Sequence, residues 1–101
     1  MVKVSRKVKW NKIATENLES AVSYIRIDSV KNAEKVKQDI VSKIKNLSSN
    51  SEKYPLDKYK LNNDGSYRAF EQHHYRIVYR VLRNEIRIIT IRHTSMEPLK
   101  Y

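Results

Sequence analysis

The stretch from Tyr67 to His93 constrains this chain more than any other. It is dense in β-branched and aromatic residues and is interrupted by two polar breaks, near Gln72–His74 and at Arg83-Asn84-Glu85. Residues of this kind suit a pleated surface. The pattern predicts three antiparallel strands joined by tight turns, Tyr67–Gln72, Tyr75–Leu82 and Ile86–His93. Arginines stand among the apolar residues at Arg68, Arg76, Arg80, Arg87 and Arg92. A purely structural sheet has little use for so many guanidinium groups, so one face is expected to handle phosphate.

The N-terminal half is helical in period. Ala14, Leu18, Ala21, Val22 and Ile25 form one apolar stripe through about Ile27, with Asn11 as the N-cap and Glu16 and Glu19 placed to suit the helix dipole. A break at Asp28-Ser29 can also cap the next helix, in which Ala33, Val36, Ile40, Ile44 and Leu47 form a second stripe. Asp39 and Lys43 stand four apart, as an ion pair across one turn requires. Helices with almost no loop between them fold into an antiparallel hairpin. Ahead of them, Val2, Val4, Val8 and Trp10 alternate with polar residues, as in an edge strand guarded by lysines, and Arg6 breaks the inward row.

Ser48–Ser66 has no clear period. At 19 residues it is long for a loop in a small domain. Tyr54, Leu56, Tyr59 and Leu61 are expected to pin it, and Gly65, the only glycine, marks a turn with positive φ. The tail from Thr94 to Tyr101 is too short for another packed element. The expected fold is therefore α+β and a single domain over residues 1–101. A strand, a helical hairpin and a three-stranded meander form a four-stranded antiparallel sheet, with both helices on one face and the other face open.

Composition narrows the partners. The formal net charge is +10, which favours nucleic acid, an acidic protein or an anionic surface. Twelve of the thirteen lysines precede residue 61, whereas six of the eight arginines lie between Arg68 and Arg92. There are no cysteines, hence no disulfide framework or thiolate metal site. No apolar run approaches a membrane span and the start lacks a signal-peptide block, so the cytoplasm is expected. His73 and His74 are adjacent and would point to opposite faces of a strand, so no metal or other cofactor is expected. The single glycine rules out a Gly-rich phosphate loop.

The turns decide which side chains meet. A two-residue loop at Asn84-Glu85 or Arg83-Asn84 sets Arg76 beside or diagonal to His93, with Val78 and Arg80 on the same side. A three-residue loop would instead pair Arg76 with Arg92. The two-residue loop is preferred, because it leaves Tyr75, Ile77, Tyr79 and Val81 to pack with Ile86 and Ile88 beneath the helices. A preceding turn of three residues, Gln72-His73-His74, would bring Arg68 to the same side. Arg68, Arg76 and His93 would then form a shallow positive site able to stabilise phosphoryl charge and move a proton. The structural alternatives are Arg76 as a tie between strands and His93 as a hydrogen-bonded cap at the sheet edge.

Tyr-Arg-Ile-Val-Tyr-Arg-Val (Tyr75 to Val81), a short turn, Ile-Arg-Ile-Ile-Thr-Ile-Arg-His (Ile86 to His93) and Pro98 together resemble the RelE/ParE superfamily of bacterial toxins. The similarity covers nearly the whole chain. It implies a toxin of a type II toxin–antitoxin module, held by a small, often DNA-binding, acidic antitoxin that wraps it. One arm of the superfamily cleaves mRNA on the ribosome, and the other poisons DNA gyrase without nuclease chemistry. For the nuclease arm, the resemblance assigns Arg76 to the reacting phosphate, Arg68 to a second basic position and His93 to proton transfer. Arg80, and Tyr101 if the tail folds back, would contact RNA phosphate. After His93 the chain reads Thr94, Ser95, Met96, where several nucleases carry basic or aromatic groups, and the lysine-rich hairpin is ParE-like. A ribosome-dependent, metal-independent endoribonuclease is the first expectation, and a gyrase inhibitor the alternative.

Overall fold

Helical periodicity becomes packing over most of the first half of the chain. The computed structural model describes residues 5–101, so Val2 and Val4 of the expected first strand lie outside the described residues. Strand β1 spans Lys7–Trp10, α1 Lys12–Asp28 and α2 Val30–Asn46. Ala14, Leu18, Ala21 and Val22 of α1 face Ala33, Val36, Ile40 and Ile44 of α2 in one buried cluster. A single residue joins the helices. The Ser29 N–H caps α1 by donating to the Ile25 carbonyl (3.0 Å), and its Oγ accepts from the Asn32 N–H at the start of α2 (3.0 Å). A cap of the second kind is worth about 1 kcal/mol.

Three local expectations change. Asn11 sits at the N-cap position, but its side chain accepts from Arg87 Nη1 (3.3 Å) and does not cap α1. The first turn of α1 holds no acidic residue; Glu16 lies opposite Lys12 one turn further on. Asp39 pairs with Lys35 (3.3 Å) and His73 (2.6 Å), not with Lys43, whose ammonium lies over the Phe70 ring (5.9 Å). Hydrogen bonds from His73, and then Lys35, hold the Asp39 carboxyl below its ordinary value.

Strands β2 (Tyr67–Gln72), β3 (Tyr75–Val81) and β4 (Glu85–His93) form the antiparallel meander. The sheet order is β1-β4-β3-β2. β1 is an edge strand, yet it runs parallel to β4, so the sheet is mixed. The long loop after α2 lets β2 begin at either end of the sheet, so the connection itself does not fix the sense of β1. Phe70, Tyr75, Ile77, Tyr79, Ile86, Ile88 and Ile91 meet both helices in the core. Tyr79 is fully buried and donates to the Ser51 carbonyl (2.8 Å); burial pushes its phenol up to about 12. Among the described residues no helix is long and apolar enough to cross a membrane.

Both hairpins decide the faces differently from expectation. The β2–β3 turn has two central residues, His73 (φ 52°) and His74 (φ 66°), both left-handed. This is the mirror-image turn whose twist matches a hairpin, although histidine is a costly occupant. It places Arg68 opposite Tyr79 and not on the Arg76 face. The β3–β4 turn is the preferred two-residue loop: Arg83-Asn84 is closed by the Leu82 N–H to the Glu85 carbonyl (2.9 Å). Near it, Tyr79 pairs with Ile88 and Arg80 with Arg87. The register then shifts between Val78 and Tyr79, leaving Ile89 as an extra residue, and Arg76 pairs with Arg92 and Tyr75 with His93.

The strained turn is testable. Replacing His74 by glycine, which adopts positive φ without strain, should raise stability by roughly 0.5–1 kcal/mol, whereas His74→Val should lower it. Urea unfolding midpoints of the two variants against the wild type would measure both.

Candidate functional site

The loop from Ser48 to Ser66 supplies the residue that organises the open face. Tyr54 stacks on Phe70 (4.5 Å between centroids, 24°), while Leu56 and Leu61, expected as pins, are exposed. Between them, the Asp57 backbone N–H donates to the Tyr67 carbonyl (2.8 Å) alongside β2. Asn63 Nδ2 donates to the Tyr67 carbonyl (2.9 Å), and Gly65 (φ 95°) turns the chain into β2. The Asp57 side chain is thereby driven inward, and it is fully buried.

Three donors meet that carboxylate. Arg76 Nη2 donates to Oδ1 (2.7 Å), the Tyr59 N–H donates to Oδ1 (3.1 Å), and the Tyr101 hydroxyl donates to Oδ2 (2.7 Å). Burial pushes the Asp57 carboxyl up, but hydrogen bonds from Tyr101 and Arg76 outweigh it and hold the group below its usual value. Tyr101 is moved upward, by burial first and then by its bond to Asp57. The Arg76 guanidinium also lies over the Tyr59 ring (4.9 Å) and reaches Glu71 (3.5 Å). The structural alternative for Arg76 is thus what the geometry displays: it ties β3 to the loop and, through Asp57, to the tail.

The tail folds back. The Leu61 N–H donates to the Tyr101 backbone oxygen (2.5 Å), the Tyr101 N–H to the Tyr59 carbonyl (3.3 Å), and the Tyr101 ring meets the Tyr67 ring edge-on (5.8 Å). The face expected to be open is therefore crossed by Thr94–Tyr101, which packs without forming a helix or strand. Between tail and sheet lies a cavity of about 320 Å³, lined by Val78, Ile89, Met96, Pro98 and Leu99, with Arg76 and Arg92 among its polar groups.

The expected trio does not assemble. Arg68 lies on the Tyr79 side of β2 and donates to the Tyr54 carbonyl (2.6 Å). His93 packs edge-on against Tyr75 (5.1 Å, 89°). Its Nδ1 accepts from the Ser95 N–H (3.1 Å), so in the neutral ring Nε2 carries the proton. Arg76 and His93 both line the cavity beneath the tail, and Arg68 does not. The two-residue His73–His74 turn moved Arg68, and the extra residue in β4 moved His93. Arg80 shares the Arg76 side as expected, but it is held by Ser66 Oγ (3.1 Å), Asp64 (3.5 Å) and the Tyr67 ring (4.8 Å). Tyr101 does reach this face, as a donor to Asp57. Asp57 and Glu71 carry no motif that marks them as site residues; a lone carboxylate among the aromatic residues of an aperiodic loop is the one cue to Asp57.

The model of the ParE toxin of type II toxin–antitoxin systems, parDE, matches residues 8–98. The chain belongs to the ParE toxin family. Its fold is similar to that of a chain from the chromosomal ParDE TA system of P. aeruginosa, at 23% identity and a TM-score of 0.68, covering 88% of this chain and 96% of that one. It is also similar to the YoeB dimer from Staphylococcus aureus, at 21% identity and a TM-score of 0.58, covering 88% and 97%. No curated protein matches significantly. The RelE/ParE resemblance read from Tyr75–Val81 and Ile86–His93 is thus borne out at the level of superfamily and fold. In this ParE-family chain, the arginine that the nuclease arm would use on phosphate already holds an internal carboxylate.

Removing one partner of a buried ion pair strands the other, which costs about 3 kcal/mol or more. Asp57→Ala should therefore destabilise strongly, and Tyr101→Phe by about 1.5 kcal/mol, the value of one hydrogen bond to a charged group. Because the Asp57 value is depressed on folding, its contribution is full above the ordinary carboxylate pKa and fades as pH falls through the folded value. The stability gap between wild type and Asp57→Asn should shrink below about pH 4. Chemical denaturation at pH 7, 5 and 3 would read the gap; a gap that widens towards acid would contradict the assignment.

Proposed function

We propose that this protein is the toxin of a type II toxin–antitoxin pair and that it arrests growth by binding DNA gyrase, without cutting mRNA. The observation that carries this reading is the occupied guanidinium of Arg76, whose Nη2 donates to the buried Asp57 carboxylate at 2.7 Å. A phosphate clamp must be free to meet substrate, and the group that moves the proton must stand on the same side of it. Arg76 fails the first condition, because it is matched by Asp57 and Glu71; His93 shares the cavity lining with it, but its ring is packed edge-on against Tyr75. Arg80 and Arg87 are likewise matched, by Asp64 and Glu85. Such a surface suits recognition of a protein better than in-line attack on RNA. The net charge of +10 supports an acidic antitoxin as its guard, with the cytoplasm as the place of action.

Expression in growing cells, with assays of gyrase and RNA, tests the reading. The purified protein should inhibit supercoiling by gyrase, and induction should raise DNA breaks and the SOS response while ribosome-bound mRNA stays intact. His93→Ala should leave toxicity within about two-fold, since no proton transfer depends on it. Loss of mRNA within minutes at intact DNA, abolished by His93→Ala, would restore the endoribonuclease reading.

A further inference from the structure

Three arginines gather at the end of the sheet where β1, β2 and β4 begin. Arg6 stands just ahead of β1, Arg68 near the start of β2 and Arg83 in the β3–β4 turn, and all three line an open depression of about 310 Å³. None of them lines the cavity beneath the tail. Unlike Arg76, Arg80 and Arg87, none has a carboxylate partner among the described residues. Two are fixed in place by other bonds. Arg6 Nε donates to the Leu82 carbonyl (2.9 Å) and its Nη1 to Ser51 Oγ (2.9 Å), while Arg68 Nη1 donates to the Tyr54 carbonyl (2.6 Å). These bonds leave Arg6 Nη2 and Arg68 Nε and Nη2 without a partner among the described residues. A guanidinium held this way is already oriented, so it loses little freedom when its remaining donors meet an oxyanion.

The depression continues into a second one, which shares Arg6 and Glu52 with it and adds Ser51 and Lys53. Along the combined groove stand four cations and two carboxylates, and one of the carboxylates, Asp64, is paired with Arg80 (3.5 Å). The balance is positive. The rest of the lining restricts the occupant. Val81 and Leu82 are the only large apolar residues of either wall, so an apolar side chain finds no anchor here. No aromatic ring among the described residues lines the groove, so unstacked bases find no platform. Guanidinium forks match oxyanions with two free oxygens. A row of such oxyanions without exposed bases is what the outside of a nucleic-acid duplex presents.

We propose that this groove binds the sugar–phosphate backbone of duplex DNA, without regard to base sequence. Arg6, Arg68 and Arg83 each meet a phosphate, and Lys53 extends the contact along the strand. The overall charge of +10 draws the duplex in, and the fixed guanidiniums set where it comes to rest. The site lies apart from the tail-covered face, so the inference does not rest on the gyrase reading.

Fluorescence anisotropy of a short labelled DNA duplex of mixed sequence, titrated with the intact chain, tests the proposal. With three phosphate contacts, affinity should fall about forty-fold between about 50 and 200 mM salt. The double variant Arg68→Gln/Arg83→Gln should bind at least ten-fold more weakly at low salt. Lys31→Gln/Lys37→Gln, which removes the same charge from exposed positions of α2, should stay within about three-fold of the wild type. Equal losses in the two variants would show a response to net charge alone and overturn the proposal. So would a wild type that does not bind, a single strand bound more tightly than the duplex, or equal affinity for polyglutamate of the same charge. Should Arg68→Gln fail to fold, the exposed Arg83 carries the test: Arg83→Gln should weaken binding at least three-fold with an unchanged melting curve, and no loss would overturn the site. Toxicity enters none of these measurements, so they stand or fall separately from the gyrase reading.

Discussion

The buried carboxylate of Asp57 holds together the parts of this protein that have no periodicity of their own. It belongs to the long loop, accepts from Arg76 on a central strand and from Tyr101 in the tail, and is closed to solvent. An ion in such a place is tolerated only when its oxygens are occupied. Here they are, by a guanidinium, a phenol and a backbone N–H, so loop, strand and tail are bound by one group. The same arrangement gives Arg76 an internal partner. A residue that resembles a phosphate clamp in its sequence context is, in its surroundings, the countercharge of an internal acid.

The architecture was legible because burial is periodic. The stripes Ala14–Ile25 and Ala33–Leu47 became α1 and α2, and the two capping roles of Ser29 came from its place between them. The ends of β2, β3 and β4 differ by at most one residue from those read in the sequence. The site was less legible, because it depends on phase. His73 and His74 both adopt positive φ, a conformation that their side chains disfavour, so nothing in those letters announces a two-residue turn. In β4, Ile88, Ile89 and Thr90 form a run without alternation, and such a run conceals the place where a strand gains an extra residue. Either event alone reverses the face of everything beyond it.

The distribution of charge obeys the same logic. Lysines on the two helices are mostly solvated, whereas Arg76, Arg80 and Arg87 of the sheet are paired one by one with Asp57, Asp64 and Glu85. A surplus of +10 therefore does not concentrate into a phosphate cradle beneath the tail. It leaves a broad attraction for acidic chains and, on the tail side of the sheet, one guanidinium, at Arg92, without a carboxylate partner among the described residues.

The parallel pairing of β1 with β4 has a consequence for biosynthesis. Residues 7–10 leave the ribosome early, yet their hydrogen-bonding partners are residues 85–88. The hairpin of α1 and α2 can form as it emerges, but its apolar stripes have no sheet to cover until β3 and β4 arrive. Completion of the core is thus deferred until β4 has been made. A chain assembled in that order cannot close its sheet on β1 before β4 exists.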